Sequence, residues 1–366
     1  MESYVGLDVH SKRSVYVIEG DDGRIVARGD IPTTPAGFRQ LRRQHELPGY
    51  TPVALETGTV AFYAARELAR VGLRPVVIDA HEVRVKAHRP RQKSDRRDAF
   101  ELCEGLRRGL YRAIVHVPPA RIGALRETLS RRRHFVAVRV AEVNAVKRLL
   151  RAAGLGQLSK SLATEAAWAK LLAALVGEPA LRTYVTQHHA LWRCVQEQLA
   201  ALDATLTAQP AAITKVAARL QTVPGVGPIV SLTTVAVFSD VHRFPSAKHA
   251  ASYAGLVPST DQSGDRDTHG HITKRGSAAL RTMLCEAAHH AQRPTHPLHP
   301  YFARLCAQRG YKMAVVAVAH RLCRMLFALL RDGTEFDVRK LAIEEGPFRR
   351  TTVQRYRLKR AVVRRA

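Results

Sequence analysis

Acidic residues are scarce in this chain: 31 Asp and Glu stand against 58 Lys and Arg, leaving a formal net charge of +27. That imbalance argues against a cationic partner and favours a polyanion, nucleic acid first. Charge alone also leaves open a packaging or ribosome-like protein held to nucleic acid by charge, so chemistry has to decide. Cysteine is also sparse. The five, Cys103, Cys194, Cys285, Cys306 and Cys323, are odd in number, widely spread and without a Cys-x-x-Cys pair, so neither a disulfide framework nor a zinc finger is indicated and buried apolar roles are expected. The 17 histidines include His269-Gly-His271, His289-His290 and His296-Pro-Leu-His299 but show no zinc-binding helical spacing. A Gly-x-x-x-x-Gly-Lys loop is missing, so ATP use is not expected. No uninterrupted run of about 18 apolar residues occurs, and Met1-Glu2-Ser3 leads into a strand-like segment rather than a signal peptide. No membrane attachment is expected, and the location expected is cytoplasmic and nucleoid-associated.

What is present is enough for several domains, since 366 residues with 46% apolar content exceed what one core usually serves. Tyr4 to Val9, Ser14 to Glu19 and Arg24 to Arg28 read as a three-stranded meander turning at Asp21-Asp22-Gly23. Thr34 caps a helix beginning at Pro35, Val53 to Glu56 returns as a strand, Ala61 to Val71 is helical up to Gly72, and Pro75 to Ile78 is a buried strand. A hairpin first and alternating strands and helices afterwards is the order of ribonuclease-H-like domains. Arg121 to Ala153 carries Leu125, Leu129, Val136, Val140, Val143, Val146 and Leu150 at helical steps, and Leu191, Val195, Leu199, Leu202 and Leu206 mark a second long helix. The two could form an antiparallel hairpin in one chain or a dimer seam. Glycine-punctuated short segments follow Pro210, then helices near Ala278 to Ala291 and Met313 to Leu330. From Arg349 to Ala366 there are eight Lys or Arg and no acid, a composition suited to lying on phosphates or simply to a solvated terminus.

In so basic a chain, acids beside apolar strands are informative. Asp8 ends the strand Tyr4 to Val9, and Glu56 ends Val53-Ala54-Leu55, where an unpaired carboxylate is costly unless it meets a cation. Asp95 and Asp98, in Lys93-Ser94-Asp95-Arg96-Arg97-Asp98, sit at a helix start and three apart, hence on one face. The last pair could merely favour a helix N-terminus or pair with Arg91, Arg96 or Arg97. Helix capping leaves Asp8 and Glu56 unexplained. Together the four suit two Mg²⁺ or Mn²⁺ ions about 4 Å apart at a phosphodiester. Arg84, Lys86, Arg89, Arg91, Lys93, Arg96 and Arg97 would bring a phosphate backbone to them.

Thr222-Val223-Pro224-Gly225-Val226-Gly227-Pro228 lies between the helical patterns Ile213 to Leu220 and Ile229 to Phe238. It reads as a helix-hairpin-helix, with Gly225 and Gly227 letting backbone N–H groups reach a phosphate, or as an ordinary Pro-Gly turn. Read on its own, Ser263 in Asp261-Gln262-Ser263-Gly264-Asp265 is a turn residue.

Taken in order, Gly6-Leu7-Asp8, Glu56-Thr57-Gly58, Asp95-x-x-Asp98, Pro224-Gly225-Val226-Gly227, Tyr253-Ala254-Gly255-Leu256-x-Pro258, Ser263-Gly264 and Thr273-Lys274-x-Gly276 closely resemble the DEDD transposases of the insertion sequence 110 family, relatives of Piv-type DNA invertases. The resemblance covers nearly the whole chain. It implies an α/β plus α architecture: a RuvC-like (ribonuclease-H-like) domain over 1–118, a coiled-coil helical region over 119–210, a mainly helical transposase domain with the helix-hairpin-helix over 211–345, and a basic tail over 346–366. It also implies Mg²⁺ (or Mn²⁺) on Asp8, Glu56, Asp95 and Asp98, and Ser263 as the nucleophile. The implied partners are donor and target DNA, a structured noncoding bridge RNA and further copies of the chain in a dimer or tetramer with composite active sites. A free serine is a poor nucleophile, so activation by the carboxylate-bound metals after domain closure is the preferred mechanism. Arg89, Arg91, Lys93, Gly225, Gly227, Lys274, Arg275 and Arg281 are the candidate nucleic-acid contacts, with solvated-face placement the competing account of the last three. Two other functions remain open on sequence: a Holliday-junction resolvase-like nuclease needs the acids but not Ser263, and a basic nucleic-acid-binding protein needs neither.

Overall fold

The computed structural model describes residues 2–86, 94–159, 161–263 and 266–341, with the backbone alone for 260–263 and 266–269. Arg89, Arg91, Lys93, the side chain of Ser263 and the basic tail therefore lie outside the described residues. The chain divides into two compact units, Met1–Pro119 and Ala120–Ala366.

The first unit is built on one five-stranded sheet. Strands β1 (Ser3–Val9), β2 (Arg13–Gly20) and β3 (Ile25–Pro32) form the expected antiparallel meander, with a register irregularity at Ile18/Glu19. Helix α1 (Pro35–Gln44) starts where the sequence placed it, with Thr34 Oγ1 accepting from Gly37 N at 3.2 Å. Strand β4 (Pro52–Glu56), helix α2 (Ala61–Arg70), strand β5 (Arg74–Ile78), helix α3 (Ala80–Lys86) and helix α4 (Asp95–Arg107) follow. The order across the sheet is β3-β2-β1-β4-β5, with β4 parallel to both β1 and β5. Alternation gives the sheet two apolar faces. Val5, Leu7, Val53, Leu55 and Val77 bury against Phe38 and Leu41 of α1 and Leu68 of α2. On the opposite face, Val17 packs with Ala99 and Cys103 of α4, and Ala54 and Ile78 pack with Leu102. Glu19, also buried, is paired with Arg107 at 2.8 Å.

In the second unit α5 (Ala120–Ala152) is followed by α6 (Glu165–Ala174) and α7 (Pro179–Thr207). Of the two arrangements open on sequence, α7 returns antiparallel along α5 within the same chain: Arg132 binds Asp203 at 2.6 and 3.3 Å, Arg139 meets Gln196 at 3.2 Å, and Glu142 meets His188 at 2.6 Å. The far end of this hairpin has its own core of Val146, Leu150, Trp168, Leu171, Val185 and Trp192. Helices α8 (Ala211–Gln221), α9 (Pro228–Phe238) and α10 (Ala247–Tyr253) lead into a two-stranded ribbon, β6 (Pro258–Ser263) and β7 (Arg266–Ile272). Helices α11 (Ala278–Ala288), α12 (His299–Arg309) and α13 (Tyr311–Asp332) complete the unit. Helix α13 has the length and apolar composition of a membrane span. Its Ala314, Val318, Leu322, Leu326 and Phe327 are buried in the main core of this unit, which is where such a composition also belongs.

The five cysteines are all free, and the expectation that they are buried needs correction: Cys103 and Cys323 are buried, Cys285 and Cys306 are half-buried, and Cys194 is exposed on α7. An amphipathic helix of 29 residues buries one stripe only, and Cys194 adjoins that stripe between buried Trp192 and Val195 without belonging to it.

Candidate active site

The acidic site begins with a residue that has no side chain. A Cβ at Gly6 would overlap the carbonyl of Ala99 and the backbone nitrogen of Cys103, and would stand 2.8 Å from the Cβ of Cys103. Glycine therefore lets α4 lie directly on β1, an approach also fixed by Cys103 Sγ donating to Tyr4 O at 3.1 Å. Burial pushes that thiol up to about 12, so Cys103 is a packing residue rather than a reactive one. One turn before Ala99, the first residues of α4 reach the end of β1. Asp95 and Asp98 lie in that first turn, after an extended Ser94.

Asp8 is two residues beyond Gly6 and shares its face of the sheet. Glu56 is two residues beyond Ala54, the parallel neighbour of Gly6, so the two carboxylates stand at adjacent strand tips on the α4 side. Arg97 bonds Glu101 on the same helix at 3.1 Å. Asp8, with 18% of its side chain exposed, has its pKa raised. Burial is the main cause; His10 opposes it, and the charges of Asp98 and Asp95 add to it. Carboxylates gathered in this way concentrate negative charge, which a divalent cation would relieve.

One member of the cluster was not foreseen. His10 Nε2 is 3.1 Å from Asp8 Oδ2 and 3.4 Å from Asp95 Oδ2, and one donor atom from each of the three lies within 4.8 Å of the others. The available signal was strand alternation, which returns residue 10 to the face of residue 8.

The C-terminal candidates fall in two places. Gly225 and Gly227 occupy the turn between α8 and α9, but they differ in role. Gly225, at φ +83°, faces the unit's interior, where a Cβ would meet Ala287 O at 3.0 Å and His290 Cβ at 3.1 Å; Gly227 precedes Pro228 at the start of α9 with open space beside it. Ser263 is the last residue of β6, paired with Arg266, rather than a free turn residue. The base of that ribbon is held by the two motifs flanking it. Helix α10 ends with Gly255 N–H donating to Ser252 O and Leu256 N–H to Ala251 O, a left-handed glycine cap. The returning strand is tied to this cap by Thr273 N–H to Val257 O and Lys274 N–H to Gly255 O. Arg281 Nη1 donates to Ala254 O at 3.1 Å and Lys274 O at 3.2 Å, so its guanidinium braces the ribbon. Lys274 and Arg275 are exposed beside it.

Two family models match the chain. One, for DEDD transposases of IS110, covers residues 5–154, and one described as the transposase IS116/IS110/IS902 family covers residues 217–303. A probable family 20 transposase of Pseudomonas aeruginosa is 31% identical over 350 residues, 91% of this chain and 98% of its own length. The transposase for insertion sequence element IS1111A of Coxiella burnetii is 27% identical over 67% of this chain and 69% of its own. A pilin gene-inverting protein of Moraxella lacunata is 32% identical over 34% of this chain and 39% of its own. With one match reaching through α5, a second covering much of the C-terminal region and a relative aligned almost end to end, the chain belongs to the IS110 family of DEDD transposases.

Proposed function

We propose that this transposase cuts and rejoins DNA through a protein–DNA serine ester, with Asp8, Glu56, Asp95 and Asp98 holding Mg²⁺ (or Mn²⁺) and Ser263 supplying the nucleophilic oxygen. The observation that carries the reading is the meeting of Asp8 and the first turn of α4 across Gly6, with Glu56 at the adjacent strand tip. The strand order β3-β2-β1-β4-β5 supports reading 1–118 as a RuvC-like domain; the further division proposed is a helical region over 119–210, a serine domain with a helix-hairpin-helix over 211–345 and a basic tail over 346–366. Divalent ions bound there would neutralise phosphate charge and lower the cost of the attacking and leaving oxygens. In the proposed step Ser263 Oγ bonds to phosphorus as one bridging P–O bond breaks. The proton lost from the serine is balanced by one gained by the departing sugar oxygen. Reversal by a hydroxyl of another strand rejoins DNA without ATP. Donor and target DNA are the substrates, a structured bridge RNA selects them, and copies of the chain assemble as a dimer or tetramer.

Asp8→Asn is expected to leave folding and nucleic-acid binding intact while removing cleavage, and Ser263→Ala to remove both joining and the covalent adduct on denaturing gels. Strand joining that survives Ser263→Ala, or an adduct mapping to another residue, favours a resolvase-like nuclease instead.

A further inference from the structure

His10 is neither acidic nor part of the four-carboxylate set, yet its ring bridges two members of it. The Nε2 separations of 3.1 and 3.4 Å from Asp8 Oδ2 and Asp95 Oδ2 can be compared with what an ion requires. Ligand atoms side by side on one ion, each bonded at about 2.1 Å, stand about 3 Å apart. The backbone that carries the ring is also fixed. His10 N–H donates to Arg13 O at 3.3 Å, and its carbonyl accepts from Thr33 Oγ1 at 2.8 Å, so the residue is anchored to β2 and to the end of β3.

We infer that His10 is a nitrogen ligand to the ion held between Asp8 and Asp95, and that it makes this site prefer Mn²⁺ to Mg²⁺. The inference rests on the proposed reading of Asp8 and Asp95 as metal ligands. Mg²⁺ dehydrates reluctantly and keeps oxygen around it, whereas a transition ion of similar charge accepts an imidazole in exchange for water. A donor set of four carboxylates discriminates weakly between the two ions. One imidazole changes that without changing the charge of the site.

The test uses the full-length protein titrated separately with Mn²⁺ and Mg²⁺, with pulsed electron paramagnetic resonance on the Mn²⁺ form to detect coupling to a ligand nitrogen. Wild type is expected to bind Mn²⁺ at least about tenfold more tightly than Mg²⁺ and to show the nitrogen coupling. His10→Gln, which keeps a polar side chain of similar length, should lose the coupling and weaken Mn²⁺ binding about tenfold while altering Mg²⁺ binding less than about twofold. If coupling and affinity survive His10→Gln while Asp8→Asn removes Mn²⁺ binding, His10 is not a ligand although the site is real. If Mn²⁺ binding survives Asp8→Asn, the carboxylate site itself is misassigned, and the role of His10 falls with it.

Discussion

His296 is buried beside the turn that carries Gly225, and its two ring nitrogens have opposite duties. Nδ1 accepts the backbone N–H of Leu298 at 3.0 Å, which leaves Nε2 to donate to Pro224 O at 3.1 Å. That network assigns the neutral ring, and burial lowers its pKa below the usual 6.5. The folded state thus resists a proton that the unfolded chain accepts. Its contribution is complete above about pH 6.5 and is lost as pH falls through that value toward the lower folded pKa. His296→Ala should cost about 1–3 kcal/mol near pH 7.5, because Pro224 O and Leu298 N lose their partner. In thermal melts the gap between wild type and variant should narrow by pH 5.5; a gap that stays constant or widens would contradict the neutral assignment. At this scale acids stood out in the sequence more readily than histidines. Asp8 and Glu56 stood out because charge at an apolar strand tip breaks a pattern, whereas His10, just past the strand end, broke none.

Helix α4 delivers half of the acidic cluster, and its seat is Gly6. Gly6→Ala places a methyl group against the backbone at Ala99 and Cys103, which no side-chain rotation relieves. The first unit should lose about 3 kcal/mol in denaturant melts, and a stability indistinguishable from wild type would mean that α4 does not rest on β1. Elements with a period, a cap or an apolar composition were legible in advance: the meander, α1 with its Thr34 cap, α5 within a residue of each end, and the largely apolar α9. Helices α6, α10 and α12 were not, because each buries only two residues, too few to display a period. The ribbon Pro258 to Ile272 escaped for a different reason. Its residues are almost all Ser, Thr, Asp, Gln, Gly, Arg and His, so no alternation of apolar side chains announces a strand. Arg281 illustrates the limit on site residues, since a sequence cannot distinguish a guanidinium facing phosphate from one occupied by two carbonyls of its own chain.

Across the whole molecule the net charge of +27 sets the character of binding. Association with DNA or RNA should release many counterions, and affinity should fall on the order of 10³-fold between about 50 and 200 mM salt. A flat response in filter-binding or anisotropy titrations would show that phosphate contacts are few. The helical hairpin carries a consequence of another kind. Because α7 lies along α5 and gives Arg132, Arg139 and Glu142 their partners within the same chain, the longest helix needs no second subunit to become ordered. Its formation is first order in protein and can be completed while a single copy is being synthesised. Order in that hairpin is then a property of the single copy, and diluting the protein should leave the helical signal of these two elements unchanged.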